Sequence, residues 1–290
     1  MKVPVKVDGR DLTLSNLNKV LYPEAGFTKA EVIDYYSRVA PVLLPHLEGR
    51  PLTVKRYPNG VEASFFFEKN APRHTPAWIR RVKLPVPGST MNRESIEFAV
   101  VEDLPSLVYY ANLAALELHV PQWRVASDGT AQPPDLLVFD LDPGPPATIV
   151  ECCEVALMLR DVLRAEGLET WPKTSGNKGM QLYAKWDGRA DPSDYAHALA
   201  QLLEKEHPQQ VVSVMTKKLR RGKVLIDWSQ NNPAKTTVAP YSLRARQRPT
   251  VSTPLLWQEV EDCDRPDDLV FTAQDVLARV EEHGDLFGQA

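Results

Sequence analysis

Residues 134–144, Pro-Asp-Leu-Leu-Val-Phe-Asp-Leu-Asp-Pro-Gly, form an apolar run that ends in two carboxylates and is cut off by Pro143 and Gly144. The segment 136–141 is short, apolar and bounded by proline, the pattern of a buried strand. Successive side chains of a strand leave opposite faces. Asp140 and Asp142 therefore emerge from one face at the strand's end. Like charges held that close repel unless a proton or a cation lies between them. Mg2+ or Mn2+ suits such oxygen ligands, and two such ions bridged by aspartates are standard machinery for in-line nucleotidyl transfer. Asp-x-Asp alone is common and by itself reads more readily as a helix cap beside a solvated carboxylate. The rest of the chain reverses that order.

The chain has 290 residues, 43% hydrophobic and 25% charged, enough for one large domain or two intimate ones. The N-terminus has no signal-peptide core, and no run approaches a membrane span. Cys152 and Cys153 are adjacent in a helix-patterned stretch, and Cys263 is distant. They read as core residues in a reducing cytosol. A net charge of −4 argues against indiscriminate nucleic-acid binding. Yet Lys217, Lys218, Arg220, Arg221 and Lys223 crowd together, and Arg244, Arg246 and Arg248 follow. Concentrated basic segments in an acidic chain suit a specific phosphate-binding face.

The first half opens with a strand over 3–7. Thr28 and Glu31 then form a capping box for a helix that carries Val32, Ile33, Tyr36, Val39 and Leu43 at helical spacing. Lys29 falls in its first turn, where a cation is unfavourable unless an anion docks there. The segment 52–57 is a strand bearing Lys55 and Arg56, and a Pro58-Asn59-Gly60 turn leads to a second strand over 61–67. The three phenylalanines Phe65, Phe66 and Phe67 are either buried on both sides of that strand or form a platform for a base. A Pro/Gly/Ser-rich loop over 85–93 precedes a strand at 95–101. The apolar run 106–118 reads as a deeply buried helix with His119 at its end.

The second half repeats strands and helices. Thr148 and Glu151 cap a helix to about residue 166, and strands follow at 168–173 and 180–186. A helix opens at Asp191-Pro192, and strands follow at 211–215 and 223–228. The order is β-α-β-β-α-β with an added strand, the split βαβ or ferredoxin-like pattern. Between two of the strands, Ser175-Gly176-Asn177-Lys178-Gly179 offers backbone N–H groups, a hydroxyl and an ammonium that together could cradle a triphosphate. Asp227 lies in an apolar strand and needs a partner, either an arginine or a metal shared with Asp140 and Asp142. Arg244 and Arg246 supply planar guanidiniums suited to phosphate. Residues 251–290, with a helix over 272–283, read as a packing tail.

Taken together, the stretches Ser15 to Pro23, Phe66 to Asn70, Leu116 to His119, Phe139 to Pro143, Lys173 to Gly179 and Ile226 to Asn231 closely resemble the polymerase domain of the bacterial non-homologous end-joining ligase D. That domain belongs to the archaeo-eukaryotic primase superfamily. The resemblance implies an α+β primase fold, with a ferredoxin-like (RRM-like) catalytic sheet over about 134–250. That sheet would pack with an N-terminal α/β module, 1–133, and the tail 251–290. It makes Asp140, Asp142 and Asp227 the ligands of two Mn2+ or Mg2+ ions, and Ser175 and Lys178 the holders of a triphosphate. It places Lys55, His119, Gln181, Gln230 and Arg244 around the nucleotide, with Phe66 and Phe67 stacking on a base. Asn16, Lys19 and Lys29 would grip the 5′-phosphate of a downstream strand, and the loop 85–93 would align broken ends.

Some relatives carry His where this chain has Gln181, which can only bond neutrally. Many relatives fuse this domain to a ligase and a phosphoesterase, so a stand-alone protein or an excised domain is expected. The implied activity is extension of 3′ ends at gaps and breaks with NTPs or dNTPs, favouring Mn2+ and ribonucleotides and sometimes untemplated. The implied partners are DNA with a 5′-phosphate, a Ku-type protein and a ligase, in a cytoplasmic, nucleoid-associated setting. A primer-synthesising primase and a catalytically idle end-bridging module are the alternatives.

Overall fold

The computed structural model describes residues 2–86 and 94–288. Residues 87–93 of the predicted end-aligning loop lie outside the described residues. The chain begins with the antiparallel pair β1 (Lys2–Val7) and β2 (Arg10–Ser15), then β3 (Val20–Tyr22) and β4 (Phe27–Thr28). Helix α1 (Lys29–Leu47) starts as its sequence requires. Thr28 Oγ1 accepts from the Glu31 N–H at 3.3 Å, and the Glu31 carboxylate accepts from the Thr28 N–H at 2.7 Å. Its apolar stripe, Val32, Tyr36, Val39 and Leu43, is fully buried.

Next come β5 (Pro51–Arg56), β6 (Phe66–Glu68), β7 (Arg81–Pro85), β8 (Ser95–Val100), α2 (Leu104–Asn112) and β9 (Ala115–Val120). Two expectations are corrected here. The strand predicted over 61–67 shrinks to β6, because Val61 is drawn away from the sheet and donates its N–H to the Leu21 carbonyl at 2.8 Å. The apolar run 106–118 is a helix followed by a buried strand. A continuous apolar run fits either element, and length alone cannot separate them. Here Asn112 ends the helix by turning its amide onto β2. Its Oδ1 accepts from Ser15 N–H at 3.0 Å and its Nδ2 donates to the Thr13 carbonyl at 3.1 Å. Ala114 then reverses the chain at φ 57°.

A short hairpin, β10 (Trp123–Val125) and β11 (Ala131–Pro134), leads to the second sheet. Its elements are β12 (Leu136–Pro143), α3 (Ile149–Ala165), β13 (Thr170–Thr174), β14 (Met180–Lys185), α4 (Pro192–Glu206), β15 (Val211–Val212) and β16 (Val224–Asp227). The strand order is β13-β14-β12-β16-β15, antiparallel except between β15 and β16. The added strand β16 takes the place beside β12 and leaves β15 at the edge. The chain then returns through β17 (Thr237–Val238), which pairs with β9 in the first sheet, and closes with α5 (Trp257–Glu261) and α6 (Ala273–His283). The three cysteines are buried and free.

Strand β12 feeds two cores. Leu137, Phe139 and Leu141 pack with Cys152, Val155 and Leu159 of α3 and Ala196 and Leu203 of α4. Leu136 and Val138 leave the other face and join the core of the first sheet. Asp140 and Asp142 continue that second face. Full burial of a phenylalanine contributes about 1.5–3 kcal/mol, and a cavity left behind adds to the loss. Phe139→Ala is therefore expected to destabilise the protein by about 3–5 kcal/mol, read as a lowered midpoint of thermal unfolding.

Candidate active site

The antiparallel register sets Asp140 opposite Asp227, with Asp142 two residues further on β12 and on the same face. Among the described residues none of the three pairs with a lysine or arginine at salt-bridge distance. The arginine alternative for Asp227 is thus not what the fold supplies. Asp227 accepts instead from Ser229 N–H at 3.0 Å, from Ser229 Oγ at 2.5 Å and from Gln230 Nε2 at 2.8 Å. Asp140 accepts from Gln181 Nε2 at 3.0 Å. Burial, then Asp142 and Asp227, push the Asp140 carboxyl up to about 7 against the opposing Gln181 hydrogen bond. Burial and Asp227 raise Asp142, with Arg220 opposing.

A cation shared on this face would relieve that repulsion, and an all-carboxylate donor set fits Mg2+ or Mn2+. Among the described residues, no three His, Cys, Asp or Glu side chains close into a ligand shell. The three aspartates share a face, but Asp227 is turned onto Ser229 and Gln230.

The cations expected around a nucleotide converge on a residue to which the sequence gave no role. Glu117, buried in β9, takes two partners on each oxygen. Lys55 Nζ lies 3.3 Å and His119 Nε2 3.0 Å from Oε2. Arg244 Nε lies 3.4 Å from Oε1, which also accepts from Ala245 N–H at 3.1 Å. Burial alone would raise its pKa. The His119 hydrogen bond and the charges of Arg244, His119 and Lys55 outweigh it and hold the carboxyl well below the usual range. Burial in turn lowers His119, against the pull of Glu117. The hint in the sequence was an acid two residues from a histidine inside an apolar segment, which is odd for a helix interior and natural for one face of a strand.

Arg244 joins this cluster to the glycine turn, since its Nη1 donates to the Ser175 carbonyl. The turn is held from within. Ser175 Oγ accepts from the N–H groups of Asn177 at 3.2 Å and Gly179 at 3.3 Å. It also presses on the carboxylate strand, because a Cβ at Gly179 would come within 2.0 Å of the Leu141 carbonyl. Lys178 projects into solvent.

The phenylalanines are all exposed, at 50%, 59% and 50% for Phe65, Phe66 and Phe67, which removes the reading of a strand buried on both sides. Phe67 pairs with Lys55 and Phe66 with Arg56, so the two rings leave opposite faces of the ribbon. Phe67 meets His119 edge-on at 6.2 Å, whereas Phe65 stacks on Tyr57 and receives Lys55 over its ring at 5.5 Å.

Asn16, Lys19 and Lys29 come together at the start of α1. Asn16 turns the chain at φ 54° and its carbonyl accepts from Lys19 N–H at 3.0 Å. Lys19 Nζ donates to Asn59 Oδ1 at 2.7 Å, and the buried Lys29 Nζ donates to the Ser15 carbonyl at 2.6 Å. Burial, then Lys19 and Arg56, push Lys29 down to about 8. Among the described residues neither lysine has a carboxylate within salt-bridge reach. Asn59 read in the sequence only as a turn residue.

A ferredoxin-like sheet with three aspartates on one face, beside a glycine turn and a gathered set of cations, defines a nucleotidyltransferase of the primase-polymerase class. The chain belongs to the LigD primase-polymerase domain family, which matches residues 28–287. It is 45% identical over 276 residues to the multifunctional non-homologous end joining protein LigD of Mycolicibacterium smegmatis, covering 94% of this chain and 35% of that protein. The bifunctional non-homologous end joining protein LigD of Bacillus subtilis is 31% identical over 277 residues, covering 94% of this chain and 43% of that one. The polymerase domain from Mycobacterium tuberculosis ligase D, solved in complex with DNA, matches with a TM-score of 0.89 at 43% identity, over 95% of this chain and 96% of that one.

The observed architecture is thus the archaeo-eukaryotic primase fold, and membership of the family implies a metal-dependent polymerase. The chain spans less than half the length of these curated relatives. No helix among the described residues is long and apolar enough to cross a membrane.

Removing the common counter-charge of a buried cluster is far more damaging than losing a surface pair. Glu117→Gln is expected to cost about 3–5 kcal/mol of stability, read as a shift of the urea midpoint. A loss below about 1 kcal/mol, the worth of a surface pair, would mean that Lys55, His119 and Arg244 do not depend on Glu117.

Proposed function

We propose that this chain extends 3′ ends at gaps and double-strand breaks in non-homologous end joining, guided by a downstream 5′-phosphate. The observation that carries the reading is the shared face of Asp140, Asp142 and Asp227, set beside the turn at Ser175 and the cations around Glu117. Two Mn2+ or Mg2+ ions bound by the aspartates would lower the pKa of the primer 3′-hydroxyl and neutralise the departing pyrophosphate. Ser175, Lys178 and Arg244 hold the triphosphate, and Lys55 and His119 complete its electrostatic surroundings. Gln230 steadies Asp227, Gln181 stands against Asp140, and Phe67 stacks on a base, with Phe66 serving the opposite side of the ribbon. Positioning and preorganised charge then supply most of the rate enhancement.

Asn16, Lys19 and Lys29 take the 5′-phosphate. The N-terminal module over 1–133, the catalytic module over 134–250 and the tail over 251–290 act as one domain. In this reading the substrates are NTPs and dNTPs, with ribonucleotides favoured. A Ku-type protein and a ligase supply end binding and sealing, in a cytoplasmic, nucleoid-associated setting.

Primer extension on gapped DNA with Mn2+ tests this. Extension that favours ribonucleotides and rises with the downstream 5′-phosphate is expected, and Asp140→Ala should abolish it while sparing end binding. Synthesis without a primer on a single strand would instead mark a primase, and no extension at all an end-bridging module.

The 5′-phosphate reading also carries a pH signature. The phosphate is already close to doubly charged at neutral pH, its second pKa being about 6. Lys29 is charged below about 8 and loses its proton above it. The preference for a 5′-phosphate over a 5′-hydroxyl end should therefore shrink as pH rises through about 8. Lys29→Arg, whose guanidinium stays charged, should flatten that dependence in a binding titration.

A further inference from the structure

We infer that Gln181 is a positioning residue for Asp140, its amide locked by Lys173 and the C-terminal segment so that it fixes one carboxylate oxygen and frees the other. This rests on the proposed metal-binding role of Asp140. Gln181 lies opposite Asp140 in the β12–β14 register and is only 4% exposed. Its Nε2 donates to Asp140 Oδ1 at 3.0 Å. A primary amide can turn over and present either end, but here the turn is blocked. Gln181 Oε1 accepts from Lys173 Nζ at 2.6 Å and from the Tyr183 hydroxyl at 3.4 Å. Reversal would set an NH2 group against the lysine's own N–H donors.

Lys173 is held just as firmly. It is completely buried, and its Nζ donates a second hydrogen bond to Ser252 Oγ at 2.6 Å. The Ser252 hydroxyl spends its proton on the Thr174 carbonyl at 2.8 Å, so a lone pair faces Lys173. Ser252 is fixed through its N–H to the Ser242 carbonyl at 2.9 Å. Lys173 therefore donates in both directions, to Ser252 on one side and to Gln181 on the other, and only the branch Lys173–Gln181–Asp140 ends on the carboxylate. One N–H of the Gln181 amide is thereby committed to Asp140, and its oxygen to Lys173 and Tyr183.

Partners that orient a metal ligand typically carry 10–100-fold in affinity. The test is Mn2+ binding without nucleotide, followed by the loss of the free-ion EPR signal, together with nucleotide KM at saturating Mn2+. Gln181→Met, which keeps the volume and removes both ends of the bridge, should weaken Mn2+ binding about tenfold and leave KM unchanged. Lys173→Met should weaken it similarly, and the double variant no further, because both act through one amide. Ser252→Ala, which leaves the Gln181 bridge itself intact, should weaken it less, with the thermal unfolding midpoint read alongside.

Wild-type Mn2+ affinity in Gln181→Met with a raised nucleotide KM would overturn the inference and make Gln181 a nucleotide contact. Wild-type affinity in both Gln181→Met and Ser252→Ala would also overturn it. A wild-type protein that binds no Mn2+ would instead remove the metal reading on which it rests.

Discussion

The structure depends on β12 being buried from both sides. Its alternate residues serve two separate cores, and neither core can do without it. The strand must therefore run apolar on both faces until it leaves the packed region, and Asp140 and Asp142 mark that exit on one side. Their neighbours follow from pairing alone. An antiparallel partner on each side brings Gln181 from β14 and Asp227 from β16 opposite the same residue, Asp140. A slip of one residue in either pairing would turn the partner's side chain to the opposite face, so the register of the two pairings and the geometry of the carboxylates are one constraint.

Beside the negative charge gathered on that face, the first sheet holds its own charge centre, where Glu117 gathers Lys55, His119 and Arg244. Lys55 and Arg244 would otherwise repel each other. A buried carboxylate with partners on both oxygens fixes their places in advance. Cations held in this way need not reorganise to meet an anion, which is where preorganised electrostatics has its effect. Arg244 has the further duty of tying the turn at Ser175 to this cluster.

Local chemistry was legible in the sequence. The capping boxes at Thr28 and Thr148, the helix begun at Asp191-Pro192 and the Asp-x-Asp strand each announce themselves within a few residues, and each is where expected. The failures lie where the deciding contact is distant. Whether 106–118 is one helix or a helix and a strand is settled by Asn112 reaching back to β2, 97 and 99 positions away. Glu117 looks like part of a helix end until β5 and Arg244 surround it. The phenylalanine run left open whether its rings are buried or exposed, and it did not give the split between Phe66 and Phe67, because that split depends on which residue of β6 pairs with Lys55.

The C-terminal segment, which reads as packing, is built into the site. Thr250 Oγ1 donates to the Gly176 carbonyl at 2.7 Å, and Thr174 N–H donates to the Thr253 carbonyl at 2.8 Å. Ser252 meets Lys173 across 79 positions of chain. Closing so long a loop costs little more than closing a shorter one, since the entropic penalty grows only with the logarithm of length. What the long closure adds is conditionality. The turn, the buried lysine and the amide beneath Asp140 reach their places only when the last segment has docked. An incompletely folded chain would leave the carboxylate face without its fixed geometry, so the arrangement around Asp140 is tied to completion of the fold.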